Sequence, residues 1–124
     1  MKIITDEVKN VEDVVSKIFE EFEKENYPKD AFYDINAEEL MIQVFNYLSE
    51  KNISKNSMFL IENNQLVPIA QLKIEDVKKF FNDKPLEEKT REIMKIFKKE
   101  ISFETFETIV ARAKYILNKF DENK

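Results

Sequence analysis

The 124-residue sequence contains no glycine, no cysteine, no histidine and no tryptophan, and only three prolines. Each absence excludes chemistry. Loops that cradle phosphates need backbone positions with φ > 0 and close approach, which Gly alone supplies without steric cost, so no P-loop or dinucleotide fingerprint exists here. Without His or Cys there is no imidazole base, no thiolate nucleophile and no ordinary zinc or His-bearing di-iron site. An enzyme made from this chain would have to work with carboxylates, Lys, Tyr, Ser or Thr, and no carboxylate pair, nucleophile and base fall into a recognisable arrangement. The expectation is a non-enzyme with no cofactor and no metal. Zero cysteines also remove disulfides and point to the cytoplasm. Met1 to Glu7 carries no apolar run of signal-peptide length, and nothing elsewhere approaches the roughly 20 apolar residues of a membrane span, so no membrane partner is expected.

What is present is apolar material at helical spacing. The chain is 43% apolar with eleven Phe, enough for one domain over residues 1–124 with its own core. Val8, Val11, Val15, Ile18, Phe19 and Phe22 recur at three and four residues and predict a first helix, capped by Thr5 or Asp6 and ending by about Asn26 ahead of Pro28. A loop from Lys29 to Ile35 follows. Asn36, three residues before Glu39, resembles a capping box for a second helix over Ala37 to Lys51, with Asn52 standing in for the missing glycine cap. Residues 57–67 read either as a β-hairpin around Asn63-Asn64 or as a helix ending there. Further stripes predict helices over Val67 to Asn82, with Pro68 in the first turn, and over Pro85 to Lys99. Ser102 starts a last helix whose face carries Phe103, Phe106, Ile109, Val110, Ala113, Ile116, Leu117 and Phe120. Together these predict an all-α, single-domain bundle of about five helices, with room for a small β-hairpin near 58–67.

Charge is uneven along the chain. Residues 1–62 hold 7 Lys against 14 Asp+Glu, net −7, whereas residues 63–124 hold 13 Lys+Arg against 11 Asp+Glu, net +2. Within 73–99 nine bases outnumber six acids. Such a run is commonly a solvated helix surface; as a functional feature it would offer a basic face to a phosphate backbone, or let acidic and basic ends of successive copies stack. The acidic run Glu20, Glu21, Glu23, Glu25 has the spacing of surface ion pairs with Lys17 and Lys24 rather than of a hard-metal site, and leaves nucleic-acid mimicry open for the N-terminal half. Tyr27, Phe32, Tyr33 and Tyr115 are the aromatics placed for exposure, where rings stack on bases.

Four segments also carry a family likeness. Ile4-Thr5-Asp6 before a helix, Asp30-Ala31-Phe32 leading into the next, and Phe103…Phe106-Glu107-Thr108-Ile109-Val110-Ala111-Arg112-Ala113-Lys114-Tyr115 resemble the small helical subunit of type III-A CRISPR effector complexes, the Csm small subunit. Leu66-Val67-Pro68-Ile69-Ala70 resembles that family's central Pro-and-Ala-bearing helix. The resemblance implies a non-catalytic all-α protein that sits among other effector subunits, associates with copies of itself, and touches crRNA or its duplex with target RNA. By matching position Arg112 and Lys114 carry over as RNA contacts; Lys73, Lys78 and Lys79 join them from charge and helical placement. The chain departs from the family pattern at Glu38-Glu39-Leu40-Met41, where the family has Lys and Arg, and at Lys78 or Lys79, where it has Arg. An acidic inhibitor or immunity protein that occupies a basic site on a nuclease or effector is the alternative.

Overall fold

Along the chain the elements are α1 (Val11–Lys24), α2 (Ala31–Asn56), β1 (Phe59–Glu62), β2 (Gln65–Pro68), α3 (Ile74–Asn82), α4 (Leu86–Met94) and α5 (Phe103–Lys119). They are seen in a computed structural model that describes residues 11–56, 59–62, 65–68, 74–97 and 99–120. The five helices form an all-α bundle, and the strands add one antiparallel hairpin between α2 and α3. Among the described residues no helix is long and apolar enough to cross a membrane.

α5 is the hub. Ser102 caps it by accepting a hydrogen bond at Oγ from the Thr105 N–H at 3.1 Å. Of the predicted stripe, Phe106, Ile109, Val110, Ala113, Ile116 and Leu117 are buried, and Phe103 and Phe120 at its two ends are half-buried. Around it pack α1, α2, α3 and α4, with the α2–α5 interface the most extensive. Val15, Ile18 and Phe22 of α1 and Leu40, Met41, Val44 and Phe45 of α2 close the core from one side, and Val77, Phe81, Ile93 and Phe97 close it from the other. Burying side chains of this size removes about 1.5–3 kcal/mol of unfavourable hydration each, which is what drives the helices together.

The second helix begins six residues before the predicted start. Asp30, not Asn36, is the cap: its Oδ1 accepts from the Tyr33 N–H at 3.1 Å while Asp34 Oδ2 accepts from the Asp30 N–H at 3.1 Å. Asn36 lies inside the helix and donates from Nδ2 to the Phe32 carbonyl at 2.8 Å. At the far end α2 continues past Asn52 to Asn56.

The ambiguous segment is a hairpin. Its register pairs Phe59 with Pro68, Leu60 with Val67, Ile61 with Leu66 and Glu62 with Gln65. Val67 and Pro68 therefore belong to β2, and the helix predicted from Val67 starts instead at Ile74. A short apolar run satisfies both a period of 2 and a period of 3.6, and pairing with β1 decides between them. α4 is also shorter than its stripe: it stops at Met94, and the N–H groups of Ile96 and Phe97 both turn back to the Ile93 carbonyl at 2.8 Å. Phe97 still reaches the core and meets the Phe106 ring at 5.7 Å. The predicted Thr5 or Asp6 cap, the Asn63-Asn64 turn and the C-terminal tail lie outside the described residues.

Candidate nucleic-acid interface

Within the basic run of 73–99, Lys84, Lys89, Arg91 and Lys99 are held in ion pairs. Lys89, 1% exposed, lies 2.7 Å from Asp83 and 3.2 Å from Glu92, with its ammonium 3.8 Å from the Phe80 ring centroid. Lys84 shares Glu92 at 3.5 Å, Arg91 pairs with Glu87 at 3.1 Å, and Lys99 reaches Glu39 at 3.3 Å and the Asn36 amide oxygen. The groove between α2 and α4, about 850 Å³, is lined by Lys84, Arg91 and Lys95 against Glu50, Glu88 and Glu92. Such a balance gives a polyanion no net attraction.

Four of the five basic residues expected to touch RNA are described, and they stand in different surroundings. Lys73 lies outside the described residues. Lys78 donates from Nζ to the Phe120 carbonyl at 2.7 Å and so caps the end of α5. Lys79 is exposed on α3, and Lys114 is half-buried on α5; neither makes an ion pair among the described residues. Arg112 is engaged internally: Nε donates to Asp34 Oδ1 at 2.5 Å, Nη2 donates to the Pro28 carbonyl at 2.6 Å, and both side chains of the ion pair are four-fifths or more withdrawn from water, at 16% and 20% exposure. Lys114, two residues on, points about 200° around the helix from Arg112.

What Arg112 joins is a cluster of rings and cations at one end of the bundle. Phe22 of α1 stacks on Tyr27 at 5.2 Å with 14° between planes, and Tyr115 of α5 meets both edge-on, at 5.9 and 6.1 Å. Three cations surround these rings. Arg112 lies 5.0 Å from the Phe22 centroid and 5.6 Å from that of Tyr115, Lys29 lies 4.8 Å from Phe22, and Lys119 lies 5.5 Å from Tyr27 and 5.4 Å from Tyr115. Each contact is attractive because the ring face is the negative end of its quadrupole. Lys29 also donates to the Glu25 and Tyr27 carbonyls at 2.8 and 2.6 Å, which leaves one of its three N–H donors for solvent. Asp34 neutralises Arg112, while Lys29 and Lys119 are exposed and pair with no carboxylate among the described residues. Two of the corner's three cations thus have no carboxylate partner among the described residues, next to a tyrosine that is 36% exposed.

The acids gather elsewhere. Glu38 on α2 faces Glu20 and Glu23 on α1; burial first, then those two neighbouring carboxylates, hold its carboxyl above the ordinary value of 4.5. Among the described residues no three carboxylates converge as metal ligands would.

Tyr27, Arg112 and Tyr115 were legible as candidates, but Phe22 read as core only and Lys29 and Lys119 drew no attention. One signal was available: Arg112, Tyr115 and Lys119 stand at i, i+3 and i+7 and must share a face of α5. Compared with known proteins, the chain matches no family model, no curated protein and no solved structure.

Proposed function

We propose that the chain is a non-catalytic small subunit of a type III-A CRISPR ribonucleoprotein effector in the cytoplasm, where it helps to hold crRNA and target RNA through sequence-independent backbone contacts. Its neighbours are other effector subunits and further copies of itself. The observation that carries this reading is the ring-and-cation corner, which is built around Arg112 and Tyr115 of the very segment that bears the family resemblance. Lys29 and Lys119 are the groups that reach phosphates; Arg112 shapes the corner and is not itself a free donor. Exposed Lys79 and half-buried Lys114 add charge away from it. Each lysine–phosphate contact is weak and salt-dependent, so useful affinity comes from aligned copies on one RNA rather than from one subunit.

The second reading, an acidic inhibitor of a basic effector site, is favoured by the Glu20, Glu23 and Glu38 cluster, in which Glu38 stands where the family the chain resembles has Lys and Arg. Co-expression of a tagged copy with its native genomic neighbours separates the two. A ribonucleoprotein carrying RNA of discrete length is the expected product. Purification alone, or with a single basic protein and no RNA, would overturn the first reading in favour of the second.

A further inference from the structure

The corner contains more than phosphate binding requires. Two lysines alone would serve a backbone, whether single-stranded or duplex, and neither the aromatic rings nor their exposure would be needed. Here Lys119 bridges Tyr27 and Tyr115 at 5.5 and 5.4 Å, and Tyr115 stays 36% exposed although it touches two other rings. Phe22, 4% exposed, anchors the group from below, so the partly exposed tyrosines stand on a buried support. Rings in a duplex interior are already stacked on one another and are closed to such a platform, whereas an unpaired base has a free face.

Resting on the RNA-contact reading, we infer that this site takes single-stranded RNA: an unpaired base takes the place of the Lys119 ammonium over the Tyr115 ring, and Lys119, released from the ring, holds a flanking phosphate together with Lys29. The site then discriminates against duplex, which gains only the lysine contacts. Base–aromatic stacking contributes about 1–3 kcal/mol per base, so loss of the platform lowers single-strand affinity by roughly ten-fold or more and leaves duplex affinity nearly unchanged.

The absence of tryptophan makes the test direct, because the four tyrosines dominate the intrinsic fluorescence of the chain. The full chain is titrated at low salt with oligouridine and, separately, with an RNA duplex of the same length. Oligouridine is expected to quench tyrosine fluorescence, and Tyr115→Leu is expected to weaken oligouridine about ten-fold with less than a two-fold change for duplex. Tyr115→Trp restores the preference and places a quenchable indole at the site, which keeps the question answerable if the Leu variant does not fold. Binding of both RNAs that falls with Lys29→Gln and Lys119→Gln, with Tyr115→Leu affecting neither preference nor affinity, would overturn the base platform and leave the backbone-contact reading standing. Binding of neither RNA, by the chain or by its co-expressed assembly, would overturn both.

Discussion

Arg112 connects parts of the chain that are far apart in sequence: its guanidinium spans Asp34 at the start of α2 and the carbonyl of Pro28, 84 residues away. Removing it leaves a largely buried carboxylate and a carbonyl without their donor. Arg112→Ala is therefore expected to cost about 2–3 kcal/mol in stability, measured by urea or thermal unfolding, with Arg112→Lys recovering only part because an ammonium cannot serve both acceptors as a planar fork does. An unchanged midpoint would contradict this role. It follows that loss of RNA in an Arg112→Glu variant says little about RNA contact, since the corner itself would be lost. Glu38 works in the opposite sense. Its carboxyl is held above 4.5 in the folded chain, so the charged form is disfavoured there, and the cost is present at pH 7 and relieved as the pH falls through the raised value. Glu38→Gln is expected to raise the melting temperature at pH 7, and the gain is expected to shrink as the pH approaches 4.5, below which both folded and unfolded chains carry the proton. A gain that is constant from pH 7 to pH 4 would refute the assignment.

Among the elements, those whose apolar stripe and cap agree were legible from residues alone. α5 has both, with Ser102 at its start and an unbroken buried face, and Ser102→Ala is expected to cost about 1 kcal/mol by thermal unfolding, with loss of helicity confined to its first turn. No measurable change would mean that packing alone holds that turn. The start of α2 was hidden because its first turn buries little: Phe32 is 54% and Ile35 68% exposed, so no stripe marks it, and only the Asp30–Asp34 exchange does. The helix expected over Val67 to Asn82 failed at its beginning because the apolar spacing of Leu66 to Val67 fits a strand equally well. The end of α4 was invisible for a different reason. Phe97 keeps the helical spacing and is buried, yet it gets there through a turn.

At the scale of the whole molecule, the net charge of −5 conceals separate regions: carboxylates crowd where α1 meets the first half of α2, balanced charges line the α2–α4 groove, and Lys29 and Lys119, without a carboxylate partner among the described residues, sit at the end where α1 and α5 meet. Of the bases in 73–99, Lys84, Lys89 and Arg91 pair with acids of their own segment, and Lys99 pairs with Glu39 of α2. The candidate site instead draws on residues 22–34 and 112–119, which no local window of sequence brings together. The most direct test compares two charge-neutralised variants in the co-expressed, affinity-purified assembly: Lys29→Gln with Lys119→Gln, and Glu20→Gln with Glu23→Gln. If the ring-and-cation corner holds RNA, the first pair loses the discrete-length RNA while circular dichroism stays helical, and the second pair keeps it. Full RNA recovery with the lysine variant, or loss of a basic protein partner with the glutamate variant and no RNA in either, would contradict it.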